Sequence, residues 1–251
     1  MKALILAAGK GSRLKHLTYR RPKPMLPLSS TPLLQHTIEW LRDYGINEIA
    51  INLHHQSETI TGYFENGDQF GVSIRYSYES ELLGTAGASK KLASFFDETF
   101  VVIYGDVYTN LNLKRLREVH QRHIEETSSP DFCHHSLLTM TLYEVINPEE
   151  CGLVETSEAG RIIRFVEKPP RNQIFTNRAF TGVMVCEPEL LDYIPENAPY
   201  DFSSDLLPKL LKSQFPLYAE PIRANEFVID IGTLPGYLRA LRTASTQKSI
   251  A

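Results

Sequence analysis

The feature that most constrains this chain is a rhythm in its first half. Short apolar runs rich in β-branched residues, at positions 3–6, 48–53, 72–78 and 100–104, alternate with segments of helical spacing. Leu33, Leu34, Ile38 and Leu41 share one helical face, Ile60 and Phe64 stand four apart, and Leu92, Phe95 and Phe96 follow the small-residue stretch Gly84 to Ala88. Residues 113–124 give a further amphipathic helix. Strand–helix–strand units of this kind predict a mostly parallel sheet covered by helices on both sides.

The second half changes texture. Residues 137–145, 152–156, 161–167 and 179–186 read as strands, several separated by short polar turns, so antiparallel pairing is expected there. The polar stretch 127–136 reads as a loop or insertion. A helix is expected over 204–212, with Leu206, Leu207, Leu210 and Leu211 as its apolar face and Ser203 or Ser204 as N-cap. A strand at 227–231, a helix at 234–243 and a fraying tail at 246–251 complete the reading. The fold class is therefore α/β, with a mixed sheet.

Charge and cysteine usage narrow the function. Twenty-six Lys and Arg against thirty Asp and Glu leave a net charge of -4, without the basic excess that binding nucleic acid through phosphates requires. No stretch approaches the roughly 18 apolar residues of a membrane span, and the apolar start is too short for a signal-peptide core. Cys133, Cys151 and Cys186 are widely spaced, with no CxxC pair, which points to a reducing compartment. The expected protein is cytoplasmic and binds neither nucleic acid nor membrane; self-association is left open.

The chemistry concentrates where the first strand ends. Gly9-Lys10-Gly11-Ser12-Arg13-Leu14 places a small-residue loop with two cations at the edge of a parallel sheet, where α/β proteins bind ligands. Glycines let backbone N–H groups approach phosphoryl oxygens, and Arg13 can add a bidentate contact. The spacing fits neither a Walker A motif nor a dinucleotide fingerprint, since Leu14 occupies the third glycine position. In Arg21-Pro22-Lys23-Pro24-Met25-Leu26-Pro27 a lysine sits between prolines, on a stiff backbone suited to presenting one charge to a fixed anion. Asp106 follows an apolar strand, and Asp230 ends another; carboxylates so placed suit Mg²⁺. No GxSxG nucleophile elbow is present.

Residues 6–14 followed by Pro22-Lys23-Pro24-Met25-Leu26-Pro27 resemble the two-part signature of sugar-1-phosphate nucleotidyltransferases. Further matches follow in order: Leu83-Gly84-Thr85-Ala86-Gly87-Ala88, Gly105-Asp106, Val166-Glu167-Lys168-Pro169, and Asp230-Ile231-Gly232-Thr233 leading into Tyr237. The resemblance implies a Rossmann-like three-layer α/β/α fold over residues 1–242, with a nucleotide-binding half at about 1–125, a sugar-phosphate half at about 137–242 and a tail at 243–251. Hexapeptide repeats are absent, so no C-terminal β-helix is expected. The implied reaction joins a nucleoside triphosphate to a sugar 1-phosphate with Mg²⁺ as cofactor.

By the same resemblance, Arg13 and Lys23 are catalytic and Asp106 and Asp230 hold the metal. The nucleotide lies on Leu6, Ala8, Gly9, Gly11, Ser12, Glu79, Gly84 and Thr85, with Glu79 accepting hydrogen bonds from a guanine. Gly152 lets backbone approach the sugar, Glu167 binds its hydroxyls and Lys168 its phosphate. Glu167 and Lys168 are expected to project to opposite faces of their strand. Phe180 stands where many members carry a sugar-binding asparagine, and Thr181 is the candidate substitute. The favoured reading is guanylyl transfer to mannose 1-phosphate or a related manno-sugar phosphate. Thymidylyl or uridylyl transfer to glucose 1-phosphate or an amino-sugar or muramate 1-phosphate is the alternative, and a catalytically silent, nucleotide-sugar-binding regulatory subunit is a reading of another class.

Overall fold

The structure is a computed structural model that describes residues 1–248 apart from 10, 20 and 131. Its contacts cluster into two compact units, each discontinuous in sequence. Met1–Leu82, Ile103–Leu111 and the residues from Asn225 onward form the first; Leu83–Val102 and Asn112–Ala224 form the second.

The first segment runs β1 (Lys2–Leu6), α1 (Lys15–Thr18), a two-residue ribbon of β2 (Pro27–Leu28) and β3 (Thr31–Pro32), α2 (Leu33–Asp43), β4 (Glu48–Leu53), α3 (Ser57–Phe64) and β5 (Ser73–Tyr78). As the apolar runs predict, β1, β4 and β5 pair in parallel, with Ala3 opposite Ile49 and Ile49 opposite Ile74. The α2 stripe of Leu33, Leu34, Thr37, Ile38 and Leu41 is buried, the i, i+4, i+8 pattern that a core-facing helix requires. Trp40 lies on α2 and donates from Nε1 to the Leu111 carbonyl.

The chain then enters the second unit through α4 (Gly84–Lys91) and leaves it within β6 (Phe100–Tyr104), whose first four residues are buried. After β7 (Val107–Thr109) the second unit resumes with α5 (Leu113–Thr127). Asn112 caps α5 by accepting from Arg115 N–H. Four strands follow: β8 (Leu138–Glu144), β9 (Gly152–Thr156), β10 (Ile162–Glu167) and β11 (Arg178–Cys186). They pair antiparallel, β10 with β9 and β11 with β8, as the alternating texture predicts.

The helix expected at 204–212 is reshaped. It opens at Phe202 as a wide turn in which Leu206 N–H donates to the Asp201 carbonyl, five residues back, and becomes α6 only at Leu207–Lys212. Pro208 has no N–H to give, and burial of both Phe202 and Leu206 favours the wider turn. Neither serine caps it; Ser204 Oγ bonds the Asp205 carboxylate instead. A strand the sequence did not announce, β12 (Tyr218–Pro221), lies parallel to β8. It is short and ends in polar Glu220 and Pro221, so it carries no periodic signal.

The closing segment returns to the first unit. β13 (Val228–Asp230) pairs antiparallel with β7, setting Tyr108 opposite Ile229 and Asp230 opposite Val107. Behind it α7 (Leu234–Lys248) buries Tyr237, Ala240 and Ala244 against Leu14, Leu26, Leu28 and Leu33. This helix continues past the expected end at 243; of the expected tail, 249–251 lie outside the described residues. The units thus differ from the contiguous halves that the sequence suggested, because β13 and α7 pack with the N-terminal segment. The α/β class with both parallel and antiparallel pairing is as expected. No helix among the described residues is long and apolar enough to cross a membrane.

Candidate active site

In the first unit, β1 delivers the chain into a loop whose start is held from beneath. Ala7 N–H donates to Asn52 Oδ1 at 2.7 Å, and Asn52 Nδ2 donates to Glu79 Oε1 at 2.7 Å. Glu79 is buried, and its backbone carbonyl accepts from His54 Nδ1. One oxygen of the carboxylate expected to read a guanine orients Asn52, which in turn fixes the loop entry. Asn52 escaped the sequence reading, although one amide in an otherwise apolar buried strand was a usable signal.

Leu6 ends β1, and Ala8, Gly9 and Gly11 lie in the loop that follows. The Leu6 carbonyl accepts from Gly105 N–H, Ala8 is buried, and Gly9 is exposed, with nothing within 4 Å of where a Cβ would stand. Gly11 has φ of 62°, which a side chain would strain, and its carbonyl accepts from Thr18 Oγ1 and Leu14 N–H. The Ser12 side chain lies outside what is described.

Two prolines set Lys23. Pro22 in extended geometry and Pro24 inside the tight turn Lys23–Met25 leave the lysine backbone little freedom, and Nζ reaches Asp106 Oδ2 at 2.7 Å. The pair is mostly buried, with side chains 12% and 25% exposed. Asp106 is placed by Gly105, where a Cβ would stand 2.7 Å from the Leu6 carbonyl and 3.2 Å from Pro24, so only glycine lets these strands close.

The β7–β13 register brings Asp230 to the same place, and Ile231 N–H donates to the Asp106 carbonyl. Asp230 Oδ1 accepts from Gly232 N–H, and a Cβ on Gly232 would meet Asp230 Oδ1 at 2.7 Å and Arg13 Nη2 at 2.8 Å. Arg13, Lys23, Asp106 and Asp230 are therefore brought together, as the motifs predict. Burial and the neighbouring Asp106 charge push the Asp230 carboxyl up; the Gly232 N–H, Lys23 and Arg13 oppose them without cancelling them. Two carboxylates that repel each other in a half-buried, oxygen-rich corner suit a hard divalent cation, completed by phosphate oxygens and water. Tyr237, whose hydroxyl donates to the Pro27 carbonyl, ties α7 to the proline segment.

In the second unit Gly84 and Thr85 are otherwise engaged. Ala86 and Gly87 N–H both donate to the Tyr200 carbonyl, and Thr85 N–H and Oγ1 both donate to Asp201 Oδ1 at 2.9 Å. A Cβ on Gly84 would stand 2.6 Å from the Tyr200 carbonyl, so the glycine admits the 200–202 segment. The Thr85, Ala86 and Gly87 amides are thus satisfied within the protein.

Gly152 and Glu167 face each other across β9 and β10, and a Cβ on Gly152 would lie 2.7 Å from Glu167 Oε2. The glycine gives the carboxylate its room. Lys168 does not diverge from Glu167 as alternation predicts: its φ of 45° turns the chain, and Nζ sits 3.3 Å from Glu167 Oε1. A left-handed lysine directly before Pro169 is a costly conformation of the kind held at functional sites. Thr181 is buried, its hydroxyl bonded to Thr141 Oγ1 and accepting from Val183 N–H, so it does not replace the missing asparagine.

Residues 2–247 match the nucleotidyl transferase family. The chain is 37% identical to a UTP–glucose-1-phosphate uridylyltransferase of Synechocystis sp., covering 96% of this chain and 63% of that protein. It is 33% identical to mannose-1-phosphate guanylyltransferase 1 of Arabidopsis thaliana, covering 96% and 64%. It therefore spans less than two thirds of these relatives. HddC from Yersinia pseudotuberculosis, complexed with GMP-PN, superposes with a TM-score of 0.74 at 26% identity, covering 96% of this chain and 98% of that one. With a match that runs through the loop, the lysine turn and both aspartates, the chain belongs to the nucleotidyl transferase family.

Proposed function

We propose that this chain is a sugar-1-phosphate nucleotidyltransferase, and that residues 1–242 act as one catalytic domain. The observation that carries the reading is the cluster of Arg13 and Lys23 with Asp106 and Asp230, two cations and two carboxylates set beside a bare-backbone loop. In the reaction a sugar 1-phosphate oxygen attacks the α-phosphorus of a nucleoside triphosphate, the bond to the β-phosphate oxygen breaks, and pyrophosphate leaves. A phosphate monoester has a second pKa near ~6 and is already largely dianionic at neutral pH, so no side chain need remove a proton.

The work left to the protein is positioning and charge neutralisation. Gly9 and Gly11 let the triphosphate approach backbone, while Arg13 and Lys23 offset charge growing on the leaving pyrophosphate. Asp106 and Asp230 would hold Mg²⁺, which when bound neutralises phosphoryl charge. Lys168 takes the sugar phosphate and Glu167 the hydroxyls, with Gly152 leaving room beside them.

For the substrates, one Glu79 oxygen is committed to Asn52, which weakens the argument that pointed to guanine. Uridylyl transfer to glucose 1-phosphate is the first reading, supported by the 37% identical relative; guanylyl transfer to a manno-configured phosphate is the second, supported by the 33% identical one. The test is pyrophosphate release with Mg²⁺ from UTP, GTP, dTTP, CTP and ATP against glucose, mannose, heptose, N-acetylglucosamine and muramate-type 1-phosphates. Release with one pair, lost in Asp106→Asn, is the expected result. Nucleotide-sugar binding without turnover would return the regulatory-subunit reading.

A further inference from the structure

The second unit contains a chain of buried and half-buried polar groups that the proposed reaction does not use. Thr99 Oγ1 donates to Glu187 Oε1 at 2.5 Å, and His120 Nε2 lies 3.2 Å from the same oxygen. His120 Nδ1 and His123 Nδ1 each lie 3.0 Å from Thr139 Oγ1. With His120 Nε2 donating to Glu187, His120 Nδ1 accepts the Thr139 proton, and the Thr139 oxygen accepts from His123 Nδ1–H. His123 then carries its lone pair on Nε2.

The relay ends at a cavity of about 670 Å³ lined by Arg122, His123, Glu126, Glu158 and Arg178 together with the Thr156 to Gly160 turn. His123 is 7% exposed, and its ring stacks on Tyr218 at 3.9 Å between centroids, which fixes its plane. Nδ1 is turned inward to Thr139, His123 itself lines the cavity, and Nε2 has no partner among the described residues. Burial, with the neighbouring Arg122 charge, lowers the His123 pKa to about 4, so the ring is neutral, and with Nδ1 donating to Thr139 its Nε2 accepts. Neither Arg122 nor Arg178 has an ion-pair partner among the described residues. Burying two histidines beside a half-buried glutamate has a desolvation cost, and here that arrangement fixes the ring at the cavity wall.

We propose that this cavity binds a phosphorylated sugar, with Arg122 and Arg178 taking the phosphoryl group and His123 Nε2, Glu126 and Glu158 taking hydroxyls. Two planar guanidiniums match a phosphoryl group, and carboxylates with an acceptor nitrogen match hydroxyl donors. The site is distinct from the one assigned to the sugar phosphate: Thr156 and Gly152 are opposite ends of β9, about 13 Å apart at strand rise. It rests on none of the residues assigned to the reaction.

The test is calorimetric titration of the full chain carrying Lys168→Ala, which silences the sugar-phosphate site proposed above, with glucose 6-phosphate, glucose and inorganic phosphate. Glucose 6-phosphate is expected to bind more tightly than either fragment. His123→Asn keeps a donor toward Thr139 and deletes Nε2, and Arg178→Gln alters an exposed strand end; each should weaken binding at least about tenfold, a 1.4 kcal/mol change. Pyrophosphate release by the two variants in the Lys168 background is not needed for this reading, so the proposal stands or falls apart from the reaction. Absence of saturable binding, equal affinity for a fragment, or unchanged affinity in Arg178→Gln would overturn it.

Discussion

Replacing Lys23 by methionine keeps the stem and removes the ammonium, which isolates the charge. At 2.7 Å the gross attraction to Asp106 is about 6 kcal/mol for an effective dielectric of about 20. Desolvation offsets much of it, and breaking a fully buried pair costs about 3–5 kcal/mol. With Asp106 a quarter exposed, the expected loss is about 2–3 kcal/mol at pH 7, or a fall in Tm of about 4–12 °C for a chain of this size. The loss has a defined pH dependence, because Lys23 is one of the charges that hold the Asp230 pKa down. In the variant that pKa rises further above its unfolded value, so the native state takes up its proton more readily than the unfolded chain does. Such a group stabilises below the unfolded pKa and loses that contribution as pH rises through the folded one. The gap between Lys23→Met and the parent should therefore be widest near pH 7 and narrow toward pH 4. Adding Asp106→Asn, which removes the like charge, should recover about half of the loss. Urea melts from pH 4 to 8 measure the parent and both variants. A Lys23→Met protein as stable as the parent at pH 7, or a deficit that does not change with pH, would refute the reasoning.

Asp230→Asn retains an acceptor for Gly232 N–H while removing a charge that burial disfavours, so it should be more stable than the parent at pH 8 and equal to it at pH 4, with pyrophosphate release down about 10²- to 10³-fold. Gly105→Ala pushes a methyl against the Leu6 carbonyl and should cost about 1–3 kcal/mol in a urea melt, lowering turnover through the displaced Asp106. Thr85→Val removes a hydroxyl that donates to Asp201 and accepts from Phe202 N–H; a loss of about 1–3 kcal/mol and faster proteolysis near residue 200 are expected.

The parts of this molecule that were legible in advance are those where one local stretch carries its own reason. Buried runs such as 49–53 have no alternative to a covered strand, and the glycines and prolines around Lys23 dictate backbone geometry without outside help. What escaped depends on pairs far apart in sequence. Whether Glu79 faces a ligand or Asn52 is decided by the register of β4 against β5, and the engagement of Thr85 by Asp201 spans 116 positions. Lys168 misled because alternation presumes extended geometry, and its positive φ ends the strand one residue early. The relay beneath His123 was equally hidden: His120 and His123 look like a polar helix face until β8 and Glu187 are folded against it.

Asp230 reaches Asp106 only through β13, and Tyr237 bonds Pro27 across 210 positions. During synthesis the N-terminal strands and Lys23 emerge long before the carboxylate that completes their cluster, with the roughly 110 residues of 112–224 made in between. At about 5–20 residues per second, that interval lasts about 5–20 s. Throughout it the nascent chain holds the glycine loop and one aspartate but lacks the other, and the apolar surfaces of β7 and α2 wait uncovered. A ribosome-bound chain ending before β13 should therefore be protease-sensitive in its first segment and catalytically inert, and release of the last two elements is the step at which the first unit closes.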